Sequence, residues 1–262
     1  MLSQILQQLG QHPWRNSNEY FDTIDSTNNY AKKLAMEGAD AGTVILAGQQ
    51  TAGRGRLGRS FSSPANMGLY LSVILRPDCS PSELMHLTCA AGVAACEAVE
   101  KATGIAAKIK WTNDLILGKL KLGGILTELS IDPVSQKVAW VVVGIGINCC
   151  QEKHHFPADI RHMACSLGMN WQDVPGLAAN LIRSLHKMDA TLLTEKAEIM
   201  KTFTEKCVTI GSEISVVRGE NIRHGKAIDL DEDGGLMVAY PDGTSEVVTS
   251  GEVSIRGMYG YL

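Results

Sequence analysis

The segment with the clearest chemical potential is residues 53–59, in which three arginines alternate with three glycines. Glycine lets a backbone come close to a ligand. The planar guanidinium of arginine pairs with phosphate or carboxylate oxygens. The segment therefore predicts a loop that closes over an anion. Its glycine spacing also matches the dinucleotide-binding pattern, but residues 59–64 have no helical period, so that match is weak. An arginine–glycine nucleic-acid patch and an ordinary solvated turn stay open on this segment alone.

A second candidate is the segment 110–114, where a short strand leads into a tight turn. Asp114 is a candidate ligand for a divalent cation, and Lys110 or Asn113 could contact a phosphate. Asparagine and aspartate also occur at turns for backbone reasons alone, so the structural interpretation stays open.

Two glycine-containing strands supply the remaining candidates. Lys121 precedes the glycines at 123–124, which would clear space for a flat ligand beside a compact positive charge. The glycines within residues 144–146 interrupt an apolar strand, which often marks a close approach of ligand to backbone, and Asn148 ends that strand. A solvated lysine and a β-bulge are the alternative interpretations.

Composition narrows the function classes. The 262 residues carry a formal net charge of −4, which argues against broad nucleic-acid binding. There is no run of eighteen apolar residues and no signal-like start, so we expect no membrane partner. Seven cysteines without a CxxC pair predict reduced thiols and a cytoplasmic location.

Hydrophobic periodicity and turn signals predict an α+β fold, in which helices pack on a mixed, mostly antiparallel sheet. The strand at 138–143 could be an exposed edge that pairs in a homodimer, or it could be buried. We predict a first domain over 1–208 and a second over 209–262, whose evenly spaced strands suggest a small β-barrel. The predicted helices cover 30–38, 84–101 and 177–201. The predicted strands cover 44–47, 68–75, 107–111, 115–117, 123–130, 138–148, 213–217, 225–230, 236–240 and 245–249.

Taken together and in this order, five motifs resemble those of biotin–protein ligases, and the resemblance spans roughly residues 20–150. The small β tail suits the SH3-like C-terminal domain of that family. The motifs are Asp25-Ser26-Thr27-Asn28, Gln50-x-x-Gly53-Arg54-Gly55-Arg56-x-Gly58-Arg59, Lys110-Trp111-x-Asn113-Asp114, Lys121-x-Gly123-Gly124-Ile125-Leu126-x-Glu128 and Gly144-x-Gly146-x-Asn148.

The resemblance implies an enzyme that converts biotin and ATP to biotinyl-5′-AMP with Mg²⁺. The biotin then passes to one lysine of a biotin carboxyl carrier domain, of acetyl-CoA carboxylase or a relative. It implies Lys121 and Arg54 as catalytic residues and Asp114 as the Mg²⁺ ligand. The implied biotin-binding residues are Ser26, Thr27, Gln50, Arg54, Lys121, Gly123, Gly124 and Leu126. The implied ATP-binding residues are Arg56, Arg59, Phe61, Lys110, Asn113 and Asn148.

The sequence departs from the family pattern at two positions: Thr112 replaces a usual proline and Phe61 a usual tryptophan. Only about two dozen residues precede Asp25, so we expect a monofunctional ligase without DNA binding. A lipoate or octanoate ligase of the same fold is the nearest alternative. The hydroxyl pair Ser26-Thr27 and Gln50 suit a ureido ring better than an aliphatic chain. A non-enzymatic RNA-binding module is the alternative from another class, and it lacks interleaved aromatics.

Overall fold

The computed structural model describes residues 1–249 and 252–255. Among these residues, no helix is long and apolar enough to cross a membrane. The α-helices of the described residues are α1 (Leu2–Leu9), α2 (Thr27–Met36), α3 (Leu87–Thr103), α4 (Val174–Thr191) and α5 (Lys196–Lys206). The strands of the same residues are β1 (Asn18–Phe21), β2 (Val44–Ala47), β3 (Gly68–Leu75), β4 (Lys108–Lys110), β5 (Asp114–Leu117), β6 (Leu120–Ile131), β7 (Val138–Asn148), β8 (Glu213–Arg218), β9 (Asn221–Leu230), β10 (Leu236–Ala239), β11 (Ser245–Val248) and β12 (Glu252–Ile255).

The first seven strands form one sheet in the order β1-β2-β3-β7-β6-β5-β4. Only β1 and β2 pair in parallel, and the other neighbours are antiparallel, which confirms the mixed, mostly antiparallel sheet. The long strand β7 lies between β3 and β6. The proposal that residues 138–143 form an exposed edge for a homodimer is therefore wrong, and the buried alternative holds.

Helices cover both faces of this sheet, which explains why β3 is buried along its whole length. On one face, α2 packs through Ala31 and Ala35 onto Ile45, Ile74 and Val142. On the other face, the small-residue helix α3 and its neighbour α4 bury the larger core. The apolar run of β3 is typical of a strand covered on both faces.

Several local predictions are confirmed, and the predicted extent of one helix is wrong. The predicted strands 44–47 and 68–75 match β2 and β3. A capping box at Ser80 precedes α3, since the Ser80 N–H donates to Glu83 Oε2 at 2.8 Å. The single helix predicted over 177–201 is instead two helices, α4 and α5, separated at Leu192–Glu195. The helix α1 and the strand β1 were not predicted.

The C-terminal strands form a second antiparallel sheet in the order β11-β10-β9-β8-β12, which confirms the expected small all-β unit. α5 ends at Lys206 and β8 begins at Glu213, so the predicted boundary falls in the connection. The predicted second domain ran to 262, and its residues 250, 251 and 256–262 lie outside the described residues.

The turn between β9 and β10 contacts the first unit at the segment 110–114. The indole Nε1 of Trp111 donates to the carbonyl of Gly234 at 2.8 Å, and its backbone N–H donates to Thr209 Oγ1 at 2.8 Å. Beside it, Lys196 Nζ lies 2.6 Å from Asp233 Oδ1. The second unit thereby supports the turn that carries Asn113 and Asp114.

Candidate active site

A cleft of about 140 Å³ lies over β6 and β7, and most of the sequence-predicted site residues meet there. These are Ser26, Thr27, Gln50, Arg54, Arg56, Arg59, Phe61, Lys110, Asn113, Asp114, Lys121, Gly124 and Leu126. Gly123 and Asn148 are not part of its lining. The cleft therefore brings together polar groups from α2, the segment after β2, the turn after β4, and β6.

The floor of the cleft is backbone from the two central strands. Gly124 of β6 pairs with Asp114 on one side and Gly146 on the other. A Cβ at Gly124 would meet nothing closer than Lys121 Cε at 3.8 Å, so this backbone faces open space. This agrees with the prediction that a glycine after Lys121 clears room for a ligand.

The two glycines of β7, and Gly123 of β6, are required for a different reason. A Cβ at Gly144 would lie 1.8 Å from Asn28 Oδ1, and one at Gly146 would lie 2.5 Å from the Phe61 ring. A Cβ at Gly123 would lie 2.3 Å from the carbonyl oxygen of Gly146. These three glycines therefore accommodate neighbouring protein atoms, and the interpretation that they also make room for a ligand stays a prediction.

One end of the cleft is a set of uncharged, hydrogen-bonded side chains, here called the Thr27 network (Thr27, Asn28, Gln50 and Ser72). Thr27 donates its backbone N–H and its hydroxyl to Gln50 Oε1 at 2.9 and 3.1 Å. Ser72 Oγ lies 2.8 Å from Thr27 Oγ1 and 2.6 Å from Asn28 Oδ1. Ser72 is fully buried, so the network is held from beneath by β3. Such a set can bind a small polar, uncharged ring.

Ser26 and Thr27 are in place because α2 begins there. Ser26 is the N-cap of α2 in an extended conformation, and its Oγ accepts from the Asn29 N–H at 3.5 Å. The Asp25-Ser26-Thr27-Asn28 motif thus contains the N-cap and the first turn of α2. Helix capping and site formation therefore use the same residues.

The other end of the cleft is cationic. Arg56, Arg59, Lys110 and Lys121 all line it. Arg56 Nη1 donates to Asn113 Oδ1 at 3.2 Å, and burial lowers the pKa of Arg56. Lys110 is only 8% exposed, whereas Arg59 is exposed. Four cationic side chains along one cleft are suited to a polyanion.

Lys121 and Asp114 form an ion pair in the cleft, with Nζ 2.6 Å from Oδ1. The Lys121 backbone is also fixed, because its N–H donates to the Met163 carbonyl at 2.7 Å and its carbonyl accepts from Cys165 N–H at 2.9 Å. The segment 163–165 thereby adds a short extra strand contact beside β6. No signal in the sequence predicted that contact.

Asp114 is the only carboxylate in the described lining of this cleft. Among the residues the structure describes, no group of three or more His, Cys, Asp and Glu side chains could hold a metal alone. Mg²⁺ at nucleotide sites is commonly held by one or two carboxylates together with substrate phosphates. One carboxylate beside a cationic wall therefore fits a Mg²⁺ that arrives with a triphosphate.

The residues 53–61, here called the arginine loop, form a narrow hairpin that closes one side of the cleft. Gly55 N–H donates to the Arg59 carbonyl at 2.7 Å, and Phe61 N–H donates to the Gly53 carbonyl at 2.9 Å. The prediction of a loop rather than a helix start is confirmed, which removes the dinucleotide fingerprint. Within the hairpin, residues 56–58 make only a single 3-10 turn.

Arg54 does not donate to the residues that form the Thr27 network. Its Nη1 lies 3.0 and 3.1 Å from the two carboxylate oxygens of Glu128 and 3.1 Å from Asn29 Oδ1. The predicted biotin contact of Arg54 stays a prediction. Glu128 was part of a motif in the sequence, but its link to Arg54 depends on the tertiary fold.

Asn148, like Gly123, is a predicted site residue that does not line the cleft. It is 5% exposed, its Nδ2 donates to the Cys165 carbonyl at 2.9 Å, and its Oδ1 accepts from Gln151 Nε2 at 3.2 Å. Its predicted place near adenine stays a prediction. Sequence reasoning also missed Val253 of β12, which lines the cleft from the second unit.

Comparisons with known proteins agree with this geometry. The sequence model of the biotin/lipoate A/B protein ligase family matches residues 20–148, and that of the biotin protein ligase C terminal domain matches residues 209–256. The chain is similar to the bifunctional ligase/repressor BirA of Bacillus subtilis, with 32% identity over 88% of this chain and 72% of that protein. It is also similar to the biotin–[acetyl-CoA-carboxylase] ligase of Paracoccus denitrificans, with 32% identity over 89% of this chain and 98% of that protein.

Among solved structures, the biotin protein ligase of Aquifex aeolicus in complex with biotin and ATP superimposes with a TM-score of 0.74. The two chains are 31% identical, and the match covers 92% of this chain and 98% of that one.

Proposed function

The chain belongs to the biotin protein ligase family, and from that premise we propose how its own residues perform the reaction. It is an enzyme that activates biotin with ATP to form biotinyl-5′-AMP. It then transfers the biotin to a lysine of a biotin carboxyl carrier protein. The observation that carries the proposal is that one cleft has an uncharged hydrogen-bonding end and a cationic end.

The Thr27 network suits the ureido ring of biotin, which has N–H donors and a carbonyl acceptor but no charge. We propose that Ser26, Thr27 and Gln50 bind this ring, and that the wall at Gly124 and Leu126 lies along the rest of the molecule. Buried hydroxyl and amide groups discriminate strongly against a ligand that leaves them unpaired. The aliphatic chain of a lipoate or octanoate ligand would leave these hydroxyl and amide groups unpaired.

In the first step, a carboxylate oxygen of biotin attacks the α-phosphorus of ATP. The new O–P bond forms as the bond to the bridging oxygen breaks, and pyrophosphate leaves with that electron pair. The carboxylate is already a nucleophile at neutral pH, so no general base is needed. The barrier is the mutual repulsion of two anions, which fixed cations lower.

We assign that electrostatic work to the cationic end of the cleft. We propose that Lys121 contacts both the biotin carboxylate and the α-phosphate, after exchanging Asp114 for them. Arg56, Arg59 and Lys110 would bind the remaining phosphates. Asp114, with Asn113 beside it, would hold Mg²⁺, which supplies charge neutralisation for the leaving pyrophosphate.

In the second step, the lysine amine of the carrier attacks the acyl carbon of biotinyl-5′-AMP. A C–N bond forms, the C–O bond to AMP breaks, and the amine loses a proton as AMP leaves. Before this step the mixed anhydride must be shielded from water, and the arginine loop is placed to cover it. We propose the carrier domain of acetyl-CoA carboxylase or a related carboxylase as the protein partner.

The cysteines support a reducing compartment for this reaction. All seven are free thiols, and burial raises the pKa of Cys89 and of Cys96 to about 12. Reduced, unreactive thiols are typical of intracellular proteins, so we place the protein in the cytoplasm.

The test is release of pyrophosphate from Mg·ATP, with biotin, lipoate or no acid added, followed by mass measurement of a biotin carboxyl carrier domain. We expect biotin-dependent release and one biotin added to the carrier. Lipoate-dependent release without a biotin response would overturn the assignment of substrate. Absence of release with either acid would overturn the activity.

A further inference from the structure

Glu128 of β6 gathers three donors from two parts of the chain, α2 and the arginine loop. Lys32 Nζ lies 2.8 Å from Oε1, and Asn28 Nδ2 lies 3.0 Å from Oε2. Arg54 Nη1 lies 3.0 and 3.1 Å from the two oxygens. The side chain is only 22% exposed. Burial alone would raise its pKa, but the hydrogen bonds from Lys32 and Asn28 outweigh burial and hold the pKa below the usual value. The group is therefore a carboxylate at neutral pH.

Glu128 is not part of the cleft lining, and Arg54 meets it at the base of the arginine loop. Further along the loop, Arg56 donates to Asn113, whose own Nδ2 donates to the Ile125 carbonyl of β6. β6 runs beneath both contacts, since Gly124 pairs with Asp114 and Glu128 lies four residues later on the same strand. The loop therefore spans the cleft between two side-chain contacts.

The two contacts differ in chemistry. The Arg54–Glu128 contact joins two opposite charges and uses both carboxylate oxygens. The Arg56–Asn113 contact has one charged partner and one neutral amide. An incoming phosphate can outcompete that amide for Arg56. The contact at Glu128 would persist during turnover, while the contact at Asn113 would exchange.

A chain of hydrogen bonds also connects Glu128 to the Thr27 network. Asn28 donates to Glu128 through Nδ2, while its Oδ1 accepts from Ser72 Oγ at 2.6 Å. Ser72 in turn contacts Thr27 Oγ1. The residue that holds the loop is thus fixed to the residues that would bind the ureido ring.

We propose that Glu128 is a positioning residue that anchors the arginine loop over the cleft through Arg54, and so sets how long biotinyl-5′-AMP is retained. Arg54 then acts as the fixed end of the loop, and Arg56 and Arg59 act on the substrates. This inference rests on the proposed function, because it concerns retention of that intermediate.

The main experiment loads the enzyme with labelled biotin and Mg·ATP, removes free nucleotide, and follows escape of the adenylate without a carrier. For Glu128→Gln we expect escape faster by roughly two- to fivefold, the effect of losing one partly exposed ion pair. The matched control is Lys32→Met, which removes the other cation on the same carboxylate and leaves Arg54 in place. It should not speed escape. A remote control is Asp78→Asn, which breaks the exposed Lys137–Asp78 pair.

A second measurement follows the loop directly. Trypsin can cleave after Arg56 and after Arg59, and loss of the anchor should speed cleavage at both sites in Glu128→Gln but not in Lys32→Met. Arg54→Ala is the substitute if Glu128→Gln does not fold, since Arg54 is 39% exposed on the loop. Arg54→Lys should restore part of the retention, because it keeps the charge and loses the two-oxygen geometry.

The double variant Arg54→Ala with Glu128→Gln should release adenylate no faster than either single variant. Wild-type escape and wild-type trypsin cleavage in Glu128→Gln would overturn the proposal, as would equal effects in Lys32→Met. If the wild-type protein forms no adenylate, the proposed function fails, and the trypsin measurement still decides whether Glu128 holds the loop.

Discussion

Lys121 Nζ lies 2.6 Å from Asp114 Oδ1, so the cation assigned to the reacting carboxylate and the carboxylate assigned to Mg²⁺ neutralise each other. ATP and Mg²⁺ would separate them: the metal takes Asp114 and the phosphate takes Lys121. The pair keeps both side chains ordered at positions where they are useful, at the cost of one ion pair that binding must break.

Substitution of the lysine should affect chemistry more than binding. Lys121→Ala should lower the rate of adenylate formation by about a hundredfold or more, because the lost charge acts mainly in the transition state. The biotin Kd should change by less than about threefold, since the Thr27 network is intact. Single-turnover kinetics and calorimetric titration measure the two effects. Lys119→Ala, an exposed lysine two residues away, is the control. Equal losses in rate and affinity would mean that Lys121 only anchors the ground state.

Substitution of the aspartate should appear in the metal dependence. Asp114→Asn keeps the size of the side chain and removes its charge, so the half-saturating Mg²⁺ concentration should rise roughly tenfold. The rate at saturating Mg²⁺ should recover in part. The measurement is pyrophosphate release as a function of Mg²⁺ concentration. An unchanged Mg²⁺ dependence would leave Asp114 only as the partner of Lys121.

The Thr27 network predicts a selective loss of biotin affinity. Thr27→Val is nearly isosteric but removes the hydroxyl that donates to Gln50 Oε1 and contacts Ser72. A buried polar group without its partner costs about 1–3 kcal/mol, so biotin should bind roughly tenfold more weakly or worse. Thr43→Val is the matched control, since Thr43 is also buried but bonds the Asp40 carbonyl away from the cleft. Equal biotin affinities for the two variants would contradict the assignment.

A buried histidine makes stability depend on pH. His86 is 1% exposed, its Nε2 lies 2.9 Å from the Leu192 carbonyl, and burial lowers its pKa below the usual 6.5. As the pH falls through 6.5, the His86 imidazole takes up a proton in the unfolded chain but not in the folded chain. The free energy of unfolding therefore falls with pH, by at most about 1.4 kcal/mol per pH unit, until the pH drops below the folded pKa.

His86→Gln cannot titrate and can still donate to Leu192, so it should flatten this dependence between about pH 6.5 and 5. Urea unfolding at several pH values measures the slope. Burial also lowers the pKa of His12, so His12→Gln is an informative comparison and a residual slope is expected in each single variant. A slope that His86→Gln leaves unchanged would exclude His86 as its source.

Local signals in the sequence were enough for much of the fold. The run at β3 is long, apolar and bounded by glycine and proline, and it was predicted with its observed bounds. The break between α4 and α5 was missed because residues 192–195 contain neither glycine nor proline, and the apolar spacing continues through them. A tertiary contact ends α4, because the Leu192 carbonyl contacts His86 at the start of α3.

The candidate site likewise combines residues that the sequence identifies with contacts that only the tertiary fold creates. Alternating arginines and glycines, a lysine before two glycines and an Asn-Asp turn are visible in the sequence, and most of those residues line one cleft. The reason for Gly144 and Gly146 was not visible, because it depends on Asn28 and Phe61 from distant segments. The partner of Arg54 was hidden for the same reason.

Val253 lines the cleft from β12, far later in the chain than Lys121. During translation, the residues of the cationic side and of the Thr27 network are therefore synthesised long before Val253. The nascent first unit has an incomplete wall until the second unit has emerged and docked through Gly234 onto Trp111. The order of synthesis alone thus delays a competent cleft until the small β unit has been made.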